Sequence, residues 1–175
     1  MLNLLKNPNG DEGLDYWQLT ENGGFGWQVE EMPREGEHAF NNSAVTKYFS
    51  TSYELNLKKQ VIDLVAEGYN PDDLDNQPAV TIEDWFCCRT DCGCMYQIAV
   101  SLLDANSQPL QEYKPDVVIL DPDSDGCSWR KVTNTFTGYG PGLRYISFEH
   151  GGNDIKYWEG WFGARVTGSS VTINL

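Results

Sequence analysis

Apolar and polar residues alternate with a period of two along several segments of the chain, which is the pattern of a β-strand with one buried face. A further segment, residues 117–120, is apolar throughout and predicts a short strand buried on both faces. The alternating segments predict strands whose inward-facing residues are Val80 and Ile82; Tyr96, Ile98, Val100 and Leu102; Ile146 and Phe148; Phe162, Ala164 and Val166; and Val171 and Ile173.

Turn-forming residues separate these segments. Gly, Asn, Asp and Pro cluster at residues 22–24, 71–73, 123–126, 138–142 and 151–154. Short strands at such spacing indicate an antiparallel β-sandwich or barrel. Helix is predicted only at residues 43–49, which begin with a Ser that can cap a helix, and as a turn around residues 72–75. With no internal repeat or linker, residues 1–175 are predicted to form a single domain.

The charge balance limits the classes of partner. The chain carries 12 basic and 26 acidic residues, a formal net charge of −14. Such a surface repels phosphate groups, and no cluster of Lys or Arg offsets this locally. Nucleic acids and anionic membranes are therefore not expected as partners, while a neutral ligand or a basic protein surface stays open.

Five cysteines, an odd number, cannot all pair within one chain: Cys87, Cys88, Cys92, Cys94 and Cys127. The apolar run at the N-terminus is too short for a signal peptide, and no segment approaches the length of a membrane helix. We therefore expect a reducing, cytoplasmic compartment in which all five thiols are free. Four thiolates within residues 87–94 could bind zinc, but the spacing argues against it because zinc sites usually separate their ligand pairs more widely. No metal or cofactor is predicted.

Other catalytic chemistry is weakly represented. The two histidines, His38 and His150, lie in no triad-like context, and His150 is expected to be a hydrogen-bonding loop residue at a strand end. Residues 121–126 resemble the start of a calcium loop, but Val132 stands where the bidentate Glu belongs. An acidic turn is the preferred interpretation, with a weak calcium site left open. No carboxylate pair stands out for glycoside hydrolysis, so we expect a binding protein rather than an enzyme.

An aromatic cluster near the C-terminus is the most informative feature. Tyr157, Trp158, Trp161 and Phe162 lie within six residues, directly after the turn at 151–154. Trp161 and Phe162 join the period-two pattern and are expected to lie partly in the core, whereas Tyr157 and Trp158 are nearer the turn. Because the apolar face of a pyranose packs on aromatic rings while its hydroxyls need polar partners, an exposed Tyr–Trp pair beside Asn and Asp suits a sugar.

Several segments resemble the F-box-associated domain, the family of the sugar-recognising F-box proteins and the nonspecific cytotoxic cell receptor proteins. They follow one another over nearly the whole chain: NLLKNP at 3–8, QVIDLVAEGY at 60–69, QP at 77–78 with DWF at 84–86, TF at 135–136 with YGPG at 139–142, FEHGG at 148–152, YW at 157–158 and GWFGARVT at 160–167. The resemblance implies a β-sandwich of about ten strands with a galactose-binding-like jelly-roll layout.

In the sugar-binding members, the resemblance implies recognition of the chitobiose core of high-mannose N-glycans by loops at one end of the sandwich. It assigns glycan contacts to Tyr53, Asp91, Tyr157 and Trp158. Glu159 is expected at the same site but departs from the pattern, because the residue after the Tyr–Trp pair is Lys in the best glycan binders. N-glycans or glycoproteins are therefore the expected partners, with a protein-interaction domain that does not bind sugar as the alternative.

The resemblance begins almost at Met1, and no F-box precedes it. The chain by itself is accordingly not expected to bind Skp1 through that motif.

Overall fold

The computed structural model describes residues 1–32, 39–122 and 126–175. Within these ranges, eleven strands and one short helix form. Their bounds are β1 Gln18–Asn22, β2 Gln28–Glu31, β3 Lys47–Ser50, β4 Asn56–Asp63, α1 Pro71–Asp75, β5 Ala79–Cys87, β6 Cys94–Leu103, β7 Pro109–Tyr113, β8 Val118–Leu120, β9 Arg130–Phe136, β10 Tyr145–Asn153 and β11 Arg165–Asn174. None of the described residues belongs to a helix that is long and apolar enough to cross a membrane.

The strands form two antiparallel sheets, as the alternating pattern predicts. The first sheet has the order β1-β4-β10-β6-β7, with β8 also paired to β6, and the second has the order β2-β3-β11-β5-β9. Burial alternates strictly along β6, whose inward residues include Tyr96 and Val100, and along most of β5. The inward faces of both sheets share one hydrophobic core, so the sandwich is confirmed.

The predicted helix at residues 43–49 is wrong. Residues 47–50 form β3, which pairs with β2 and β11 in the second sheet. Tyr48 and Phe49 are 1% and 0% exposed. Because neighbouring strand residues point to opposite faces, this segment buries both rings, Phe49 in the core and Tyr48 against Glu30. The turn predicted at residues 72–75 is helix α1, capped by the side chain of Asn70, which accepts a hydrogen bond from Asp72 N.

The prediction that residues 117–120 form a strand buried on both faces is also wrong. Strand β8 lies at the margin of the first sheet, where it pairs with the first residues of β6. Ile119 is 62% exposed and Val117 45%. Because the described residues do not cover the outer side of this strand, only Leu120 is buried.

A β-bulge interrupts the last strand. The pairing of β11 with β5 shifts register between Thr167 and Ser170, and Gly168 there has φ 65°. The extra residue changes which side chains point inward, so that Val166 and Val171 both face the core although an odd number of positions separates them. It also buries Ser169 between the sheets.

Asp84 joins the two sheets through a buried polar cluster. Its carboxylate accepts hydrogen bonds from the hydroxyls of Tyr96 (2.6 Å) and Ser169 (2.7 Å) and contacts His150 Nδ1 (2.6 Å). His150 lies inside β10 and is fully buried, so its placement in a loop is wrong; His38 lies outside the described residues. Burial lowers the pKa of His150 and raises that of Tyr96.

A second buried charge lies beside this cluster. Lys58, which is paired with His150 across the first sheet, has Nζ 3.1 Å from the centroid of the Trp17 ring and 3.8 Å from that of Phe49. The two rings provide a cation–π environment for the ammonium. Burial nevertheless lowers the pKa of Lys58 well below its ordinary value.

The cysteines depart from the prediction that all five are reduced. Cys88 and Cys94 form a disulfide between the end of β5 and the start of β6, while Cys87, Cys92 and Cys127 are buried outside it. The disulfide forms because the loop returns the chain antiparallel to itself, which brings the two Cα atoms to 5.4 Å. These two cysteines are thus not available as thiolate ligands for zinc.

Half of the possible calcium loop at residues 121–126 lies outside the described residues, which exclude 123–125. Its neighbours are strands β8 and β9 rather than helices.

Candidate functional site

Three loops meet at one end of the sandwich: residues 51–55 between β3 and β4, 88–93 between β5 and β6, and 154–164 between β10 and β11. Main-chain hydrogen bonds join the first and third loops, from Asp154 N to Ser52 O (3.0 Å) and from Gly163 N to Thr51 O (3.1 Å). A Cβ atom at Gly163 would collide with Thr51 Oγ1, so this close approach requires glycine. These loops carry every residue to which the resemblance assigns glycan contacts.

Two contacts join the second loop to the third. Lys156 Nζ donates a hydrogen bond to the carbonyl oxygen of Asp91 (3.1 Å), and the guanidinium carbon of Arg89 lies 4.8 Å from the ring centroid of Phe162. The loop that bears Asp91 is thereby held against the loop that bears the Tyr–Trp pair.

Asp154 determines the conformation of the chain at Tyr157. Its side chain is buried, and Oδ1 accepts hydrogen bonds from the backbone N–H groups of Lys156 (2.9 Å) and Tyr157 (2.7 Å). Tyr157 has φ 56°, in the left-handed region that a residue with a Cβ atom rarely adopts. The Asp154 side chain thus stabilises an unfavourable backbone conformation that leaves Tyr157 75% exposed.

Trp158 is less exposed than its neighbour, at 38%. The edge of its ring system packs on Phe162, with centroids 5.7 Å apart and the planes nearly perpendicular. Lys156 Nζ lies 5.1 Å from the centroid of the same indole. Trp158 is therefore supported from the side by Phe162 while part of its surface faces solvent.

Tyr53 belongs to a neighbouring aromatic group. Its ring is half-buried and packs edge-on against Phe25 at 5.3 Å, and Phe25 in turn lies 5.5 Å from Trp161. Trp161 is half-buried, and its Nε1 donates a hydrogen bond to Gly26 O (3.1 Å). The prediction that Trp161 and Phe162 join a strand and lie partly in the core is wrong, because β11 begins only at Arg165 and both rings pack outside the core. The loops bring Tyr53 to the same end as the Tyr–Trp pair, through Ser52 and Asp154 rather than through contact between the rings.

The carboxylate of Asp91 is engaged by Arg89 through two hydrogen bonds of 3.0 and 2.9 Å. These bonds lower the pKa of Asp91, so the group is ionised at neutral pH. Because its side chain is still 48% exposed, the carboxylate can accept further hydrogen bonds at the surface.

Glu159 follows Trp158 in the third loop. It is exposed and borders a cavity of about 280 Å³ together with Gln28, Arg89, Trp161 and Arg165, among others. None of the other four predicted contact residues lines this cavity. The structure thus places the other four predicted residues on loops at one end of the sandwich, while Glu159 borders a cavity that Arg89 and Phe162 also line.

Sequence reasoning missed the supporting residues of the site: Phe25, Arg89, Asp154, Lys156 and Phe162. The turn signal at residues 151–154 indicates a loop but does not show that the Asp154 side chain is buried and accepts backbone hydrogen bonds. Likewise, the contacts of Lys156 with Asp91 and of Arg89 with Phe162 join residues that are distant in sequence.

Comparison with known proteins identifies the family to which the chain belongs. The family described as F-box associated region matches residues 2–173. The chain belongs to this F-box-associated family. Bovine F-box only protein 2 is 49% identical over 98% of the chain, and human F-box only protein 44 is 48% identical over 98%. The chain spans 58% of the length of the first and 67% of the second.

Solved structures agree with the sandwich seen in this family member. The carbohydrate-binding module TmCBM61 in complex with beta-1,4-galactotriose matches 99% of the chain and all of the module, with a TM-score of 0.60 and 12% identity. A family 16 carbohydrate-binding module matches 97% of the chain and 99% of the module, with a TM-score of 0.53 and 16% identity. At these identities the likeness concerns the fold alone.

Proposed function

We propose that this F-box-associated domain binds N-glycans of glycoproteins, with the chitobiose core lying against Tyr157 and Trp158. The observation that carries the proposal is that three loops at one end of the sandwich bring the exposed Tyr157 and Trp158 beside the loop of Asp91. The buried carboxylate of Asp154 holds Tyr157 at φ 56° with its ring 75% exposed. Exposed aromatic side chains that lie together at one surface commonly mark a binding site.

The neighbouring groups suit a neutral, polyhydroxylated ligand. Trp158 offers an apolar surface for the C–H face of a pyranose, and the ionised Asp91 can accept hydrogen bonds from sugar hydroxyls. A neutral sugar is not repelled by the formal charge of −14. This combination of one aromatic surface and nearby polar groups is the chemistry that a sugar requires.

The comparisons support binding rather than catalysis. The relatives are named F-box only proteins, and the similar folds include carbohydrate-binding modules, one of which is bound to a galactotriose. In the proposed role, residues 1–175 recognise the glycan.

A glycan array, followed by titration of the purified protein with chitobiose-containing glycans, tests the proposal. Trp158→Ala should lower affinity roughly 30-fold or more, because aromatic anchors commonly contribute about 2 kcal/mol or more to binding. Tyr16→Ala is a matched control, since Tyr16 is also an exposed aromatic residue, 58% accessible with φ 73°. It lies beside Gln60 and Asp63 in the half of β4 that is remote from the three loops.

Binding by the parent and by Tyr16→Ala, together with loss of binding in a folded Trp158→Ala, is the expected result. If the parent binds no glycan on the array, the proposal is wrong and a protein-interaction domain replaces it. If Trp158→Ala binds as tightly as the parent, glycan binding stands but the site does not.

A further inference from the structure

Two oppositely charged residues flank the Tyr–Trp pair in sequence, Lys156 before it and Glu159 after it. The structure gives them different surroundings. Lys156 contacts Trp158 and the loop of Asp91, whereas Glu159 borders the adjoining cavity. Arg89 is engaged with the carboxylate of Asp91, so Lys156 is the cation that lies against Trp158 at the rim of the site.

The ammonium of Lys156 lies between two residues to which glycan contacts are assigned. Its Nζ is 5.1 Å from the centroid of Trp158 and 3.1 Å from the carbonyl oxygen of Asp91. An ammonium has three N–H donors. Within the described ranges, the Asp91 carbonyl is the hydrogen-bond acceptor that it contacts, and the residue is exposed, which leaves N–H groups for a ligand on the solvent side.

We propose that Lys156 is a further ligand-binding residue, which donates hydrogen bonds to a neutral pyranose stacked on Trp158. This inference rests on the proposed function and names the donor. Sugar hydroxyls and the carbonyl oxygen of an acetamido group both accept such bonds, so N-acetylglucosamine units are the ligand class that it suits best.

The hydrogen bond to Asp91 favours this role. A free lysine side chain loses rotational freedom when it binds a ligand, and that loss weakens the interaction. Here the Asp91 carbonyl already holds the ammonium at the rim, so less freedom remains to be lost. The resemblance places a Lys after the Tyr–Trp pair in glycan-binding members; in this chain the cation approaches the same indole from the residue before the pair.

Titration of the folded protein with chitobiose tests the inference. Lys156→Met should lower affinity roughly tenfold, as expected for the loss of a charge-assisted hydrogen bond, and Lys156→Arg should keep most of it. Lys114→Met is the matched control, because it removes the same charge from an exposed lysine that pairs with Glu112 near β7. Thermal melting of each variant establishes that it is folded.

The possible outcomes distinguish a failure of the Lys156 inference from a failure of the proposed glycan binding. If Trp158→Ala abolishes binding but Lys156→Met binds as the parent does, the glycan site stands and the role of Lys156 is refuted. If Lys114→Met weakens binding as much as Lys156→Met, the effect is one of net charge and the inference is also refuted. If the parent binds no glycan, both fail together.

Discussion

His150 Nδ1 lies 2.6 Å from Asp84 Oδ2, in a buried contact that joins β10 of one sheet to β5 of the other. Ser169 and Tyr96 donate to the same carboxylate. Asp84 is therefore the common acceptor of a polar cluster enclosed by the apolar core, and its partners have no alternative access to water.

Replacing Asp84 should destabilise the fold severely. In Asp84→Ala, two hydroxyls and an imidazole lose their acceptor, and the nearby ammonium of Lys58 loses its favourable charge. Breaking a buried charged network of this kind typically costs about 3–5 kcal/mol. Urea denaturation measures the change, with exposed Asp116→Ala as a control that should remain within about 0.5 kcal/mol of the parent. A loss below 1 kcal/mol at Asp84 would contradict the assigned role.

His150 should make the stability depend on pH. Burial, and secondarily the Lys58 charge, lower the pKa of His150 from its ordinary value of 6.5, while Asp84 acts in the opposite direction. The unfolded chain then binds more protons at this residue, so its contribution is fully present above about pH 6.5 and is lost as the pH falls from there toward the folded pKa. The melting temperature should fall between pH 7.5 and 5. His150→Gln should show a smaller fall, and an equal slope in both proteins would refute the assignment.

Asp154 should position Tyr157 through its role as an acceptor rather than through its charge. Asp154→Asn retains a carbonyl oxygen for the backbone N–H groups of Lys156 and Tyr157, whereas Asp154→Ala removes it. We expect Asp154→Ala to lower glycan affinity about tenfold and stability by about 1–2 kcal/mol, with Asp154→Asn close to the parent. Affinity and melting curves for the two variants provide the comparison; equal losses in both would point to the charge.

Glu159→Lys should tighten binding to chitobiose-containing glycans. A carboxylate only accepts hydrogen bonds, whereas an ammonium donates them to sugar hydroxyls. Because Glu159 faces the adjoining cavity, the gain should be modest, about two- to fivefold, or about 0.4–1 kcal/mol. Isothermal titration with the same glycan measures it, and unchanged or weaker binding counts against this prediction.

The periodic pattern located β5, β6, β10 and the end of β11 but left most strands toward the margins of both sheets unpredicted, and particular residues show why. In β6, one buried face produces a strict alternation that can be recognised without the structure. Tyr48 and Phe49 are buried on opposite faces, so β3 lacks alternation and resembles a helical segment. The odd spacing between Val166 and Val171 was a readable signal of the β11 bulge.

Some features of the site could likewise be predicted from the sequence, and others could not. Exposed Tyr157 and Trp158 follow from an aromatic pair after a turn, together with the family resemblance. The contact of Lys156 with Asp91 depends on which loops the sheet order brings together, and 65 positions separate the two residues. The odd cysteine count did not predict the Cys88–Cys94 disulfide, because a count cannot show which two cysteines the β5–β6 loop brings close together.

The loops at the recognition end are joined by main-chain atoms, from Asp154 N to Ser52 O and from Gly163 N to Thr51 O. Backbone hydrogen bonds of this kind do not depend on the side chains at Tyr53, Trp158 or Glu159. Substitutions at those positions can therefore accumulate without dismantling the rim. A domain built in this way can change the chemistry of its loop surface while the sandwich beneath it stays the same.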